Sequence, residues 1–318
     1  MFMAHAARLK CRVKQLDYIG AFLQANTRSR IFITIPAIFG ILFPEYKKYC
    51  GQPVRVAETM YGMTLSGKYW YLDLLDFLLS LRFKASKNVP CLFMLVTTKG
   101  KIYPLNYVDD MFYFGTDQAQ MEWFENSLKQ RLNLEILGHA HWYLATRINQ
   151  LSNFDIVLDQ CRYCLAIFKK YLDVAGAKKI TTLYMMPVPS DFIPTADDCS
   201  DNEETSQRLQ IEYNIDFASC IGSLIYLGMT RTDIIYSVNK LAKFTRQPGK
   251  AHFNALLQLL RYLMDNTYLG IRFYSNFTDP SSTCYNWKLF NNIILFLDFL
   301  IPHGMTMLIL VEVQDASL

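Results

Sequence analysis

Alternating apolar and polar residues predict antiparallel strands in the first half of the chain. Residues 11–16 alternate in this way and are followed by Asp17, so this acid lies where a half-buried strand ends. Two later runs, residues 101–107 and 111–115, are rich in aromatic and branched residues, and Asp109 and Asp110 lie between them. We expect these runs to pair as a hairpin with an acidic turn. Further strands are predicted at residues 31–35, 54–58, 91–96 and, in a second hairpin that turns at Ser152 and Asn153, residues 137–148 and 154–158.

Apolar residues three and four positions apart predict helices between and after these strands. One helix begins near Ser66, and another follows Gly115 with Asp117 as its cap. Helices are also expected at residues 160–175, 217–229, 232–246 and 251–266. Residues 36–52 are expected to form a loop-rich insertion, and residues 176–206, with their prolines and acidic run, a linker. Together these elements predict an α+β fold, an antiparallel sheet with helices on one face, followed by a mainly helical region.

Composition narrows the class of protein only modestly. The chain has 318 residues, 52% of them hydrophobic, which is enough for a large core, and its net charge of +4 is compatible with a polyanionic partner without demanding one. Its eight cysteines are too sparse for a disulfide scaffold. We expect an intracellular protein, cytoplasmic or nuclear, without a signal peptide, a transmembrane span or a membrane partner.

The candidate chemistry lies in three acids. Two adjacent carboxylates in a turn repel each other unless a cation lies between them, and a divalent metal is the usual solution. By themselves, Asp109 and Asp110 are more typical of a solvated turn than of a metal site, and Asp17 could be no more than a helix cap. A carboxylate at one strand end and a pair in a hairpin turn are, however, the ligands needed to hold two metal ions for phosphoryl transfer.

Three motifs resemble the reverse transcriptases of copia-type (Ty1/copia) retrotransposons in their order and spacing. They are Leu-Asp-Tyr-Ile-Gly-Ala-Phe-Leu at residues 16–23, Met-Tyr-Gly-Met at residues 60–63 with Ser66, Trp70 and Tyr71, and Tyr-Val-Asp-Asp at residues 107–110. Residues 230–239 and 261–263 resemble the stretch that leads towards ribonuclease H in such polyproteins. The resemblance extends from about residue 7 to about residue 275.

The resemblance implies a domain organisation. Residues 1–150 would be a truncated reverse-transcriptase palm with the fingers largely missing, because sixteen residues precede Asp17 where the family has a long fingers region. Residues 151–275 would be the thumb and connection region leading towards a missing ribonuclease H. Residues 276–318 would be an unrelated or degenerate tail.

The resemblance also implies roles for individual residues. Asp17, Asp109 and Asp110 would be the catalytic residues and would hold two Mg²⁺ ions, with Mn²⁺ as a substitute. The nucleotide and primer would contact Phe22, Ser66, Lys68, Tyr107 and Val108, with Phe22 under the sugar and Lys68 near the triphosphate. The partners would be an RNA or DNA template with its primer and deoxynucleoside triphosphates. The chain would thus be an RNA-directed DNA polymerase fragment.

Two departures from the family keep other functions open. The missing fingers would carry cations that hold the triphosphate, and residues 64–68, Thr-Leu-Ser-Gly-Lys, replace the usual Lys-Gln-Ser-Pro-Arg. A catalytically inactive retrotransposon remnant with at most nonspecific nucleic-acid binding is the first alternative. A metal-dependent nuclease using the same acids is the second.

Overall fold

The chain folds into two compact units. The computed structural model describes residues 1–172, 186–188 and 194–276. One unit, the sheet unit, comprises residues 11–140, and the other, the helical unit, comprises residues 141–276 and most of the first ten residues, which form helix α1 (Phe2–Arg8). The sequence predicted a domain boundary at residue 150, and the two compact units divide after residue 140. Residues 146–150 pair with residues 156–159 within the helical unit. The predicted tail lies outside the described residues from residue 277 onwards.

The sheet unit is built on a six-stranded antiparallel sheet. Its elements are β1 (Lys14–Tyr18), β2 (Asn26–Thr34), α2 (Ala37–Leu42), β3 (Pro53–Glu58), α3 (Ser66–Ser80), β4 (Lys84–Ala85), β5 (Phe93–Val96), β6 (Lys101–Tyr107), β7 (Asp110–Gly115), α4 (Gln118–Arg131) and β8 (Leu134–His139). The strand order of the sheet is β4-β5-β6-β7-β1-β8, and β2 and β3 form a separate two-stranded sheet. The strand β1, first in sequence, therefore lies between β7 and β8, which come much later in the sequence.

One face of the six-stranded sheet is covered by α3 and α4. Because side chains alternate along a strand, Leu16 and Tyr18 of β1 and Met111 and Tyr113 of β7 share this face. They form one apolar cluster with residues from both helices: Trp70, Leu74, Leu78, Met121, Phe124 and Leu128. The predicted α+β arrangement, an antiparallel sheet with helices on one face, is confirmed for this unit.

The insertion at residues 36–52 is more regular than predicted. It contains the short helix α2 and a 3₁₀ helix, Pro44–Tyr49. Proline and glycine suggested a loop, but Pro36 precedes α2 and Pro44 begins the 3₁₀ helix, positions that suit its fixed φ angle. The prediction of an irregular segment was therefore wrong in detail.

The helical unit combines a small sheet with a group of helices. Its elements after α1 are β9 (Trp142–Tyr143), β10 (Thr146–Gln150), β11 (Ile156–Asp159), α5 (Cys161–Tyr171), α6 (Glu203–Tyr213), α7 (Phe217–Leu227), α8 (Ile235–Ala242), α9 (Lys250–Asp265) and β12 (Ile271–Phe273). The sheet order is β12-β11-β10-β9, and α5, α7, α8 and α9 share one apolar cluster. The predicted hairpin across Ser152 and Asn153 is confirmed as β10 and β11. Its first arm was predicted to start at Leu137, but that residue belongs to β8, which pairs with β1.

Helix α6 was not predicted. The acidic residues near position 200 suggested a linker, but Asn202 caps the helix by accepting a hydrogen bond of 2.8 Å from the backbone N–H of Thr205. Glu203 and Glu204 lie in the first turn, where negative charge is favoured by the helix dipole. The same acids that suggested a solvated linker therefore help to start a helix.

A buried ion pair lies between α7 and α9. The Arg231 guanidinium donates to both carboxylate oxygens of Asp233, at 3.0 and 2.7 Å, and the Tyr262 hydroxyl donates to the same carboxylate at 2.8 Å. Arg231 also donates to the backbone oxygen of Asn266 at 2.7 Å. Both charged side chains are almost fully buried, so each depends on the other for solvation.

No helix in the described part of the chain is long and apolar enough to cross a membrane.

Candidate active site

The structure brings the three predicted acids together at one end of the sheet. Asp17 at the end of β1 is the register partner of Asp110, the first residue of β7. Partners in an antiparallel pair have Cα atoms about 4.5–5.5 Å apart and side chains on the same face. The backbone N–H of Tyr18 donates to the backbone oxygen of Asp109 at 2.7 Å, which fixes the turn beside the end of β1. Asp17 and Asp110 lie on the sheet face opposite the helices.

The acidic turn is a tight two-residue connection. Tyr107 and Asp110 pair as the last residues of the hairpin, which leaves Val108 and Asp109 in the turn. Val108 has a φ of 53°, a left-handed conformation that is rare for a branched side chain. The Trp70 indole of α3 donates to the Val108 backbone oxygen at 2.9 Å. A buried aromatic residue on the helix thus holds the strained turn that carries Asp109.

Negative charge accumulates at this end of the sheet. Loss of solvent raises the pKa of the Asp17 carboxyl, and the charges of Asp110, Asp109 and Glu135 raise it further. Glu135 lies opposite Asp17 on β8, so acids stand side by side on β7, β1 and β8. Within the described residues, none of these acids forms a salt bridge with a lysine or arginine.

Neutral groups bind two of the predicted acids. The Gln15 amide donates to Asp110 Oδ1 at 3.0 Å, and the Tyr61 hydroxyl donates to Asp109 Oδ1 at 3.4 Å. Neither contact supplies a positive charge. The repulsion between the carboxylates is therefore not neutralised by the residues around them.

The donor set suits a divalent ion in its chemistry. Unpaired carboxylates that repel one another are the ligands that Mg²⁺ and Mn²⁺ prefer, and a bound cation would relieve the repulsion. The part of the chain that the structure describes nevertheless contains no group of three or more His, Cys, Asp or Glu side chains arranged to hold a metal. The backbone positions converge, while the carboxylates are not drawn around a common point.

The other predicted contact residues differ in their accessibility. The Phe22 ring is half-buried and packs against the Tyr61 ring at a tilt of 48°, with ring centroids 4.9 Å apart. Tyr107 and Val108 are exposed at the hairpin, and Lys68 is exposed in the first turn of α3. Ser66 is only 1% exposed, and its hydroxyl donates to the Met60 backbone oxygen at 2.5 Å. The Ser66 hydroxyl therefore closes the loop before α3 instead of offering a free donor to a nucleotide.

Sequence reasoning missed Gln15, Tyr61 and Glu135. Gln15 is two positions before Asp17 on the same strand, so alternation alone places it on the same face. Tyr61 lies inside the second motif, but the resemblance to the family gave it no role. Glu135 gave no local signal, because its proximity to Asp17 depends on the pairing of β1 with β8, which are remote in sequence.

Comparison with known families shows the family to which the chain belongs. A family model described as "Reverse transcriptase (RNA-dependent DNA polymerase)" matches residues 1–186, more than half of the chain. The chain belongs to the reverse transcriptase family.

The relatives place the chain among copia-type retrotransposon proteins. It is 29% identical over 259 residues to the retrovirus-related Pol polyprotein from transposon RE1 of Arabidopsis thaliana. The aligned region covers 81% of this chain and 16% of the polyprotein. It is 25% identical over 265 residues to the corresponding polyprotein from transposon TNT 1-94 of Nicotiana tabacum, covering 82% and 19%. A transposon Ty5-1 protein of Saccharomyces cerevisiae is 25% identical over 267 residues, covering 82% and 79%. The chain thus spans less than one fifth of the length of the Pol polyproteins it matches.

Proposed function

We propose that the chain is the RNA-directed DNA polymerase part of a copia-type retrotransposon polyprotein, and that it adds deoxynucleotides to a primer 3′ hydroxyl. The observation that carries this proposal is the register of Asp17 with Asp110 beside the turn that holds Asp109. Phosphoryl transfer needs adjacent carboxylates of this kind, unpaired with protein cations, on an accessible face.

In this proposal the acids hold two divalent ions. Asp17 and Asp109 provide the main ligands, and Asp110, oriented by Gln15, completes or supports the site. When bound, the ions would lower the pKa of the primer hydroxyl and neutralise charge on the phosphates. Trp70 and Tyr18 hold the turn through its backbone oxygens, so that Asp109 keeps its place relative to Asp17.

The neighbouring residues position the substrates. Phe22, which packs against Tyr61, would lie beneath the sugar and leave no space for a 2′ hydroxyl, which would make the product DNA. Tyr107 and Val108 would contact the primer terminus, and Lys68 would attract the triphosphate. Ser66 would act indirectly by fixing the loop before α3. Template and primer would be bound through shape and phosphate contacts.

A primer-extension assay on poly(rA)/oligo(dT) with Mg²⁺ or Mn²⁺ tests the proposal. We expect incorporation by the unmodified chain and none above background by Asp109→Ala/Asp110→Ala. The matched control is Asp197→Ala/Glu212→Ala, which removes the same charge at exposed positions of the helical unit and should leave the rate unchanged. Equal incorporation by the unmodified chain and the Asp109→Ala/Asp110→Ala variant would show instead an inactive remnant.

A second measurement separates metal binding from turnover. Because the ions would bind the folded chain, added Mg²⁺ should raise the melting temperature of the unmodified protein and not that of Asp109→Ala/Asp110→Ala. A shift of equal size in both proteins would contradict the assignment of these ligands.

A further inference from the structure

A cleft of about 580 Å³ lies in the sheet unit, away from the acidic turn. Its walls are the end of α3, the turn between β5 and β6, and the start of α4. Because Lys101 and Tyr107 are the two ends of β6, the cleft and the turn lie at opposite ends of this strand, roughly 20 Å apart. The volume falls in the range of small-ligand sites.

The cleft carries uncompensated positive charge. Arg82 and Lys99 line it, both are exposed, and neither side chain has an ion pair or hydrogen bond among the described residues. No aspartate or glutamate belongs to the lining that the structure describes. An anionic group is the ligand that such a pair of cations favours.

Arg82 occupies a position where glycine is normally preferred. It has a φ of 68° and ends α3 with its N–H donating to the Leu79 oxygen at 2.9 Å, while the Phe83 N–H donates to the Leu78 oxygen at 3.0 Å. This is the hydrogen-bond pattern of a Schellman motif, whose left-handed residue is usually glycine. Arginine in this left-handed conformation costs free energy that glycine would not, and its guanidinium in the cleft remains unpaired within the described residues.

A buried polar group also faces the cleft. Gln120 is 9% exposed, its Nε2 contacts the Thr97 hydroxyl, and its Oε1 has no partner. Thr97 is itself held by the turn, because its Oγ1 accepts from the backbone N–H groups of Lys99 and Gly100, each at 3.2 Å. A buried amide oxygen without a partner costs free energy that a ligand donor would recover.

An aromatic surface completes the lining. Trp123 of α4 is 43% exposed and lies one helical turn after Gln120. Residues three apart on a helix share one side, so the indole and the amide can contact the same ligand. An exposed indole next to two cations favours a planar ring that carries a negative group.

We propose that this cleft binds a nucleoside phosphate. The phosphate would lie on Arg82 and Lys99, the base would stack on Trp123, and an amino group on the edge of the base would donate to Gln120. The ligand would come either from a free nucleotide or from single-stranded nucleic acid, which share this chemistry. The site does not depend on polymerase activity, since it uses none of the acids at the turn.

Equilibrium binding of AMP and of a fluorescein-labelled oligo(rA) to the full chain tests this inference. Measurements in EDTA prevent binding through metal ions at the turn. We expect Arg82→Glu/Lys99→Glu to weaken binding of at least one probe tenfold or more. The matched control Lys84→Glu/Lys129→Glu makes the same change in net charge at exposed positions outside the cleft and should produce a much smaller loss, through long-range electrostatics alone.

The pattern across probes identifies the source of the ligand. Weakening of AMP binding supports a free-nucleotide site, and weakening of oligo(rA) binding alone supports a site for single-stranded nucleic acid. Equal losses in the two charge-reversal variants, or none in either, would overturn the proposal.

Arg82→Gly separates binding from structural support. Glycine suits the left-handed position, so the melting temperature should rise, while loss of the guanidinium should weaken binding severalfold. If Arg82 were merely structural, binding would follow stability and improve or stay constant. Circular dichroism confirms that each variant is folded before binding is measured.

Discussion

The hydrogen bond from Trp70 to the turn gives a prediction with a calculable size. Trp70→Phe removes the 2.9 Å bond to the Val108 oxygen and leaves a smaller ring in a site where the indole is 2% exposed and packs edge-on against Tyr18, with centroids 4.9 Å apart. A neutral hydrogen bond contributes about 1 kcal/mol net. The reduction in packed volume adds roughly another 1 kcal/mol.

We therefore expect Trp70→Phe to lower the free energy of unfolding by about 2 kcal/mol. Urea titration followed by far-UV circular dichroism measures this loss without relying on tryptophan fluorescence. The control is Trp123→Phe, since Trp123 is exposed and its indole nitrogen has no hydrogen-bond partner among the described residues. The control should change stability by less than about 0.5 kcal/mol.

The same variant tests the connection between the turn and catalysis. Because the bond positions the backbone that carries Asp109, single-turnover primer extension should slow in Trp70→Phe even at temperatures where the protein is fully folded. A loss of stability equal to that of Trp123→Phe would refute the energetic reasoning. An unchanged rate in the folded variant would refute the positioning role.

Three further predictions concern charge and backbone conformation. Asp17→Asn removes a carboxyl whose pKa is raised in the folded state, so in EDTA it should raise the melting temperature at pH 7. The charged carboxyl destabilises the fold only as the pH rises above about 3.8, its ordinary pKa, so the gain in melting temperature should shrink towards pH 3. A gain that stays constant across a pH series of melting curves would contradict this reasoning. Asp233→Ala leaves the buried guanidinium of Arg231 without its partner and should lower the free energy of unfolding by about 3–5 kcal/mol in a urea titration. The control Glu204→Ala removes an exposed carboxylate and should lower it by less than about 0.5 kcal/mol. Equal losses in the two variants would contradict burial as the cause. Arg82→Gly should stabilise the chain by about 1 kcal/mol in the same titration, and a loss of stability would show that its side chain supports the fold.

The sequence predicted the elements whose signal is local. The hairpin around Asp109 and Asp110 follows from two apolar runs and a short acidic turn, and α4 follows from its spacing and from Asp117, whose side chain caps it. Both depend on neighbouring residues, so pattern and structure agree. The resemblance to a known family added the expectation that Asp17 would lie close to this hairpin.

Other features depend on contacts between distant residues or on competing local preferences. The pairing of β8 with β1 places Glu135 beside Asp17, and no pattern around Glu135 indicates this. The acidic residues around Asn202 suit both a solvated linker and the start of a helix, and the structure shows the second, with Asn202 as the cap and the acids in the first turn. Arg231 and Asp233 lie in the motif at residues 230–239, but nothing in that motif indicates that the two side chains form a buried ion pair.

The central place of β1 in its sheet has a consequence for how the protein forms. This strand is synthesised before the other strands of its sheet, and its two neighbours, β7 and β8, are synthesised more than ninety positions later. Contacts this remote close slowly, because a long loop must be ordered before they form. Asp17 would therefore lack its sheet partners until nearly the whole sheet unit had been translated. Substitutions that weaken β7 or β8 should reduce the yield of refolded protein even when they leave the acids intact.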